Sequence, residues 1–179
     1  MGTLKYTLLL WLSLPIAALA GVTASCDRAL EICTSDISSR SACIPKLKVG
    51  ANDGDAACAA IVGSSLLNVE QSKKEGYVPD SKEGYKYIKQ AVLAIDELDD
   101  SLKSDVFYSL GRAYFDGKPV LQNFKIAYAW FSMAAALDHS LAKQMRDTTF
   151  FKLRQANMAD GVQNLALQCK TSPRRCLPE

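Results

Sequence analysis

Apolar residues return every three to four positions along most of the chain beyond residue 55, the spacing of one buried helix face. Residues 56–69 are rich in Ala, Leu and Ile and contain no proline. Behind Asp55 as N-cap they predict a helix whose apolar face includes Cys58, Ile61, Val62, Ser65 and Leu66. Charges, Gly76 and Pro79 break the pattern over residues 71–79. Ser81 opens the next predicted helix, with Gly84, Tyr87, Ile88, Ala91, Leu93, Ala94 and Ile95 facing inward as far as about Leu98. The interval 105–142 is more regular still. Ser104 or Asp105 is placed as the N-cap of a helix through Phe115, Gly117-Lys118-Pro119 turns the chain, and a second helix covers roughly residues 123–137. Val106, Leu110, Ala113 and Tyr114 share one side of the first of these. In the second, Ala127, Trp130, Phe131, Ala134 and Ala135 alternate large and small groups, the relief that lets ridges enter grooves. Helical spacing assigns these aromatics to the core. Residues 139–153 and 159–169 predict a final amphipathic pair, less like the others because the end of a stack must meet water.

The two ends of the chain follow other rules. Residues 1–20 carry Lys5, an apolar run from Tyr6 to Leu14 and the ending Ala18-Leu19-Ala20, which is the pattern of a secretory signal peptide. Cleavage after Ala24 is the alternative. The apolar run is shorter than the ~20 residues that span a bilayer, so no transmembrane domain is expected in the mature chain. A lipid-modified Cys26 is disfavoured by the preceding Thr23-Ala24-Ser25. Over residues 26–54, Ser, Asp, Pro45, Gly50 and Gly54 interrupt a short helix at 28–33, so the segment 21–54 is expected to be stapled rather than self-folding. The tail 170–179 contains Pro173, Arg174, Arg175 and Pro178 and is expected to be irregular, pinned back by Cys176. Between these ends, residues 55–169 form one helical domain of ordinary size.

Six cysteines, Cys26, Cys33, Cys43, Cys58, Cys169 and Cys176, all follow the leader. An even number in an exported chain points to disulfides. Proximity favours Cys169 with Cys176 and leaves the first four to pair among themselves in an order that spacing does not decide. The chain has no Cys-x-x-Cys, and its single histidine, His139, lies far from the cysteines in sequence, so no metal site is expected. The net charge of +2 falls to +1 once Lys5 leaves, with both signs interspersed. Nucleic-acid binding needs a concentrated basic face and is therefore not expected.

The run Leu110-Gly111, Tyr114, Gly117, Val120, Asn123, Ala127, Trp130, Ala134-Ala135, Asp138 and Ala142 resembles a Sel-one-like repeat, a relative of the tetratricopeptide repeat. Pro119, Asn123 and Asp138 depart from its pattern in the loops. Cys58, Gly63, Leu66, Gly76, Val78, Gly84, Tyr87 and Ala91 follow the same pattern with an enlarged loop. Residues 142–169 are similar to the closing helices of bacterial members of the family. The resemblance implies an all-α fold, a short right-handed α-solenoid of antiparallel helix pairs. It also implies a protein-interaction adaptor, in the periplasm or secreted, and supplies no catalytic residues.

The residues themselves name no chemistry either. His139 is the only candidate base for a Ser/His/acid arrangement, and its place after Ala134-Ala135-Ala136 suits a helix junction. Asp96, Glu97, Asp99 and Asp100 read as a solvated turn rather than a general-acid pair. No phosphate loop or dinucleotide fingerprint is present, so no cofactor is expected. Tyr108, Arg112 and Phe115 come together on the side of their helix opposite the core stripe, and Tyr and Arg are frequent at binding hot spots. The expectation is therefore a noncatalytic module that holds a protein partner. A small hydrolase or peptidoglycan-active factor is the alternative.

Overall fold

The computed structural model describes Cys26, residues 40–70, Ser72 and residues 76–177, and among these it is all-helical, with no strand. The helices are α1 (Arg40–Asn52), α2 (Ala56–Leu67), α3 (Ser81–Leu93), α4 (Asp100–Asp116), α5 (Phe124–Ala136), α6 (Ala142–Gln155) and α7 (Val162–Thr171). Short 3-10 turns occupy Ile95–Glu97 and Pro173–Cys176. The leader proposed for residues 1–20, the helix expected at 28–33 and Cys33 lie outside the described residues.

Each central helix begins where a short polar side chain can accept from its free amides. Asp55 accepts from Cys58 N–H at 2.8 Å, as expected. Asp80 accepts from Glu83 N–H at 2.9 Å, and Asn123 from Lys125 and Ile126 N–H at 3.1 Å each. Neither Ser104 nor Asp105 starts α4. Asp99 does, accepting from Leu102 N–H at 2.8 Å, because the acidic run supplies an earlier cap and nothing after it breaks the helix. All four acids of the predicted solvated turn are exposed: Asp96 and Glu97 lie in the 3-10 turn, while Asp99 and Asp100 open α4 and so place Asp105 in its second turn.

Packing follows chain order. α1 lies on α2, α2 pairs with α3, and α4 contacts both before pairing with α5. The main core includes Val62, Ile88, Leu110, Trp130 and Phe131, all buried. One inward assignment in α3 needs correction: Leu93, the last residue of the helix, is 60% exposed, whereas Ala94 is half-buried against the core and the 3-10 turn carries Ile95 into it. Tyr85 and Val92 are buried instead. The Tyr85 and Tyr114 hydroxyls meet at 3.0 Å, and burial pushes both phenols above their ordinary range.

Small residues let the paired helices touch backbone to backbone. A Cβ on Gly63 would sit 2.7 Å from Ile88 Cγ1, 2.8 Å from Ile88 N and 3.0 Å from the Gly84 carbonyl. The obstacle includes main chain and cannot rotate away. Gly63→Ala is therefore expected to cost about 1–3 kcal/mol, measured as a lowered urea midpoint with an unchanged slope. The same substitution at exposed Gly54 meets no neighbouring atom, only the strain of its φ of +98°.

Two regions depart from expectation. The stapled amino-terminal segment contains a full helix, α1, despite Pro45 inside it. Ile44, Leu47 and Ala51 are buried along one side. Gln90 Nε2 donates to the Ala51 carbonyl, Tyr87 OH donates to Asn52 Oδ1 at 3.0 Å, and Lys48 pairs with Glu83. Tertiary contacts with α2 and α3 thus outweigh the hydrogen bond that proline removes. At the other end, α6 and α7 do not form a hairpin of their own. Both pack on α5, and the Pro173–Cys176 turn runs on to α3, with Arg174 reaching Asp96 in the 3-10 turn beyond it at 3.4 Å.

The Cys169–Cys176 pairing is present, with buried Cys169 anchoring the tail. Cys26 and Cys58 form a second disulfide across 32 residues. Cys43 is disulfide-bonded as well.

Candidate functional site

α4 is covered on two sides, by α2 and α3 on one and by α5 on the other. Between the end of α2, the start of α3 and α4 lies a groove of about 110 Å³. The segment Leu67, Asn68, Val69 and Glu70 forms one wall and Ser81 contributes from α3. Tyr108, Ser109, Arg112, Ala113 and Asp116 of α4 form the other wall, with Lys118 at the turn beyond.

Arg112 is exposed and oriented by its own helix: Nε and Nη2 donate to Asp116 Oδ2 at 3.1 and 3.0 Å. Burial works against its charge, but the Tyr108 hydroxyl and Asp116 outweigh that and hold the guanidinium above its ordinary value. An exposed pair of this kind adds little stability, yet it aims the guanidinium beside the groove. Tyr108 is half-buried. Its ring stacks on His139 with centroids 4.1 Å apart and planes 14° apart, and lies 5.6 Å from the Phe131 ring.

Phe115 is not in the groove. It packs edge-on against Phe124 at 5.4 Å and Phe131 at 6.3 Å, with the Lys152 ammonium 5.8 Å from its ring. The seven-residue step from Tyr108 to Phe115 is nearly two full turns, so both rings fall on the seam with α5, while Arg112 is rotated off it. The three residues thus lie on α4 near one another without sharing an open surface.

His139 sits at the α5 to α6 junction, as its sequence context suggested. Its Nδ1 accepts from Leu141 N–H at 3.3 Å, and its Nε2 faces Asp105 Oδ1 at 3.5 Å. The two ring nitrogens thus face a backbone amide and a carboxylate. Of the acidic run, Asp99 caps α4, Asp96 pairs with Arg174 and Asp100 pairs with Lys103 at 3.7 Å. Buried Cys26, Asp55 and Cys58 bring candidate ligand atoms within 4.8 Å of one another. Their geometry has a covalent explanation: the sulfurs are bonded to each other and Asp55 caps α2.

The groove had only half its signal in the sequence. Tyr108 and Arg112 stood out by residue type, whereas Leu67, Val69 and Ser81 are 27 or more positions upstream and join them only through helix packing. No family model, curated protein or solved structure matches the chain.

Proposed function

We propose that this chain is a noncatalytic protein-interaction module of an exported protein, acting in the periplasm or outside the cell. In this reading the helix pairs form a short right-handed solenoid of the Sel-one-like, tetratricopeptide-related type, ending in a tail that folds back. The observation that carries the function is the placing of Tyr108 and Arg112 together in the wall of a groove between two layers of helices. Both are held in position before anything docks, so little side-chain entropy remains to be lost. A cavity of about 110 Å³ is well below the ~300–1,000 Å³ of small-molecule sites. It suits one projecting side chain of a partner surface. The disulfides fit an oxidising compartment, and the pattern of residues 1–20 supplies an export route. A hydrolase of the Ser/His/acid kind would need His139 as its base, and the engagement of both imidazole nitrogens favours the noncatalytic reading.

Arg112→Ala tests this directly. A hot spot contributes about 2 kcal/mol or more, so partner capture is expected to weaken roughly 30-fold. Thermal stability should stay within about 0.5 kcal/mol, as for other exposed positions. The measurement is crosslinking with mass spectrometry in the exporting cell, followed by affinity of the purified pair. Capture that is unchanged in the variant rejects the groove as the binding surface.

A further inference from the structure

At the turn from α5 into α6, the His139 side chain joins the start of α6 to α4. His139 is 13% exposed at its side chain. Because Nδ1 accepts from Leu141 N–H, the neutral ring carries its proton on Nε2, directed at Asp105 of α4. Its flat face rests on Tyr108, also of α4. The N-cap residue of α6, Leu141, makes no side-chain cap bond. The imidazole acceptor and the bond from Ala142 N–H to the His139 carbonyl, at 3.0 Å, therefore hold the first turn of α6. A proton added at Nδ1 would turn that acceptor into a donor facing another donor.

We propose that His139 is a pH-sensitive latch: neutral, it clasps the start of α6 to α4, and protonated, it releases Leu141 and shifts Tyr108 in the wall of the groove. The charged group facing the imidazole is Asp105, with Asp99 acting on Asp105 in turn. The facing group from α6 is the uncharged Leu141 amide. Burial disfavours the imidazolium more than Asp105 and the residue's own backbone favour it, so His139 titrates below its ordinary value of 6.5. Burial likewise holds Asp105 above its ordinary range despite the histidine. The folded state thus binds the histidine proton less tightly than the unfolded chain. The latch's contribution is complete above about pH 6.5 and is lost as the pH falls from there through the folded value. Its consequence for binding rests on the groove being the partner surface; the latch itself does not.

His139 is the only histidine in the chain, so its imidazole nitrogen signals are unambiguous. They are followed by NMR in the full-length mature protein from about pH 8 to about pH 5, together with amide protection in α6 and the Tyr108 ring signals. The expected result is an Nε2–H tautomer at high pH and a midpoint below that of free histidine. Protection at residues 142–145 should fall about tenfold with that midpoint, and the Tyr108 signals should move with it. Asp105→Asn should lower the midpoint further. His139→Gln, which keeps an acceptor but no titration, should abolish the pH dependence. A midpoint at or above the ordinary value, or α6 protection indifferent to the titration, overturns the latch. So does pH dependence that survives in His139→Gln. The wild-type titration decides the matter even if a variant does not fold. No partner is required, so failure of the groove reading would show separately in the Arg112 experiment.

Discussion

Trp130→Ala is expected to cost about 3–5 kcal/mol, a large share of the ~5–15 kcal/mol that holds a typical domain folded. Trp130 is 0% exposed and belongs to α5, the helix that α4, α6 and α7 all pack against. Its ring lies 5.6 Å from Phe107 of α4. The indole N–H meets no acceptor, so the side chain acts through its buried surface and contacts alone. Deleting it opens a cavity where two layers meet. The melting temperature, followed by circular dichroism, should fall by roughly 6–20 °C. Trp130→Phe should lose much less, since it keeps an aromatic ring and removes a buried donor that bonds nothing. Near-equal effects of the two replacements would contradict this account.

Removing the Cys26–Cys58 disulfide, by alanine at both positions, is expected to cost about 2–4 kcal/mol. The bond closes a separation of 32 residues and both cysteines are 0% exposed. α1 would then be held by the Cys43 disulfide, a few polar bonds and its single apolar side. Limited proteolysis should cut that part first and spare α4 and α5. The Cys169–Cys176 bond spans a separation of 7, so its loss should cost less and act on the tail's contacts with α3. Unchanged protease resistance before α2 in the double variant would show that the Cys43 disulfide and α1 packing are sufficient without the Cys26–Cys58 bond.

Much of the central fold was legible because its signals are local. The cap at Asp55, the turn at Gly117 and the α5 boundaries follow from single residues, and the α5 face follows from helical spacing. Gly117 takes a left-handed φ of 69° at the end of α4, and Asn123 caps α5. Buried Trp130, Phe131 and Ala134 then follow from periodicity. Where several residues can cap, local pattern does not rank them: Ser104 and Asp105 have the cap's chemistry, yet Asp99, upstream of both, starts α4. The groove was half visible, in Tyr108 and Arg112. Phe115 was misplaced because spacing along a helix tells which residues share a stripe but not which neighbour covers it.

The order of helices, their small-residue seams and the composition of the core are written in the amino acids, since propensity, capping and periodicity operate over a few residues at a time. Four features arise only when distant parts meet. α1 persists around Pro45 because α2 and α3 bind its inner side. α6 and α7 both settle on α5 rather than on each other. The tail returns to α3, and His139 finds Asp105 and Tyr108 on another helix. Each depends on contacts between segments separated by tens of residues, which no short window of sequence contains.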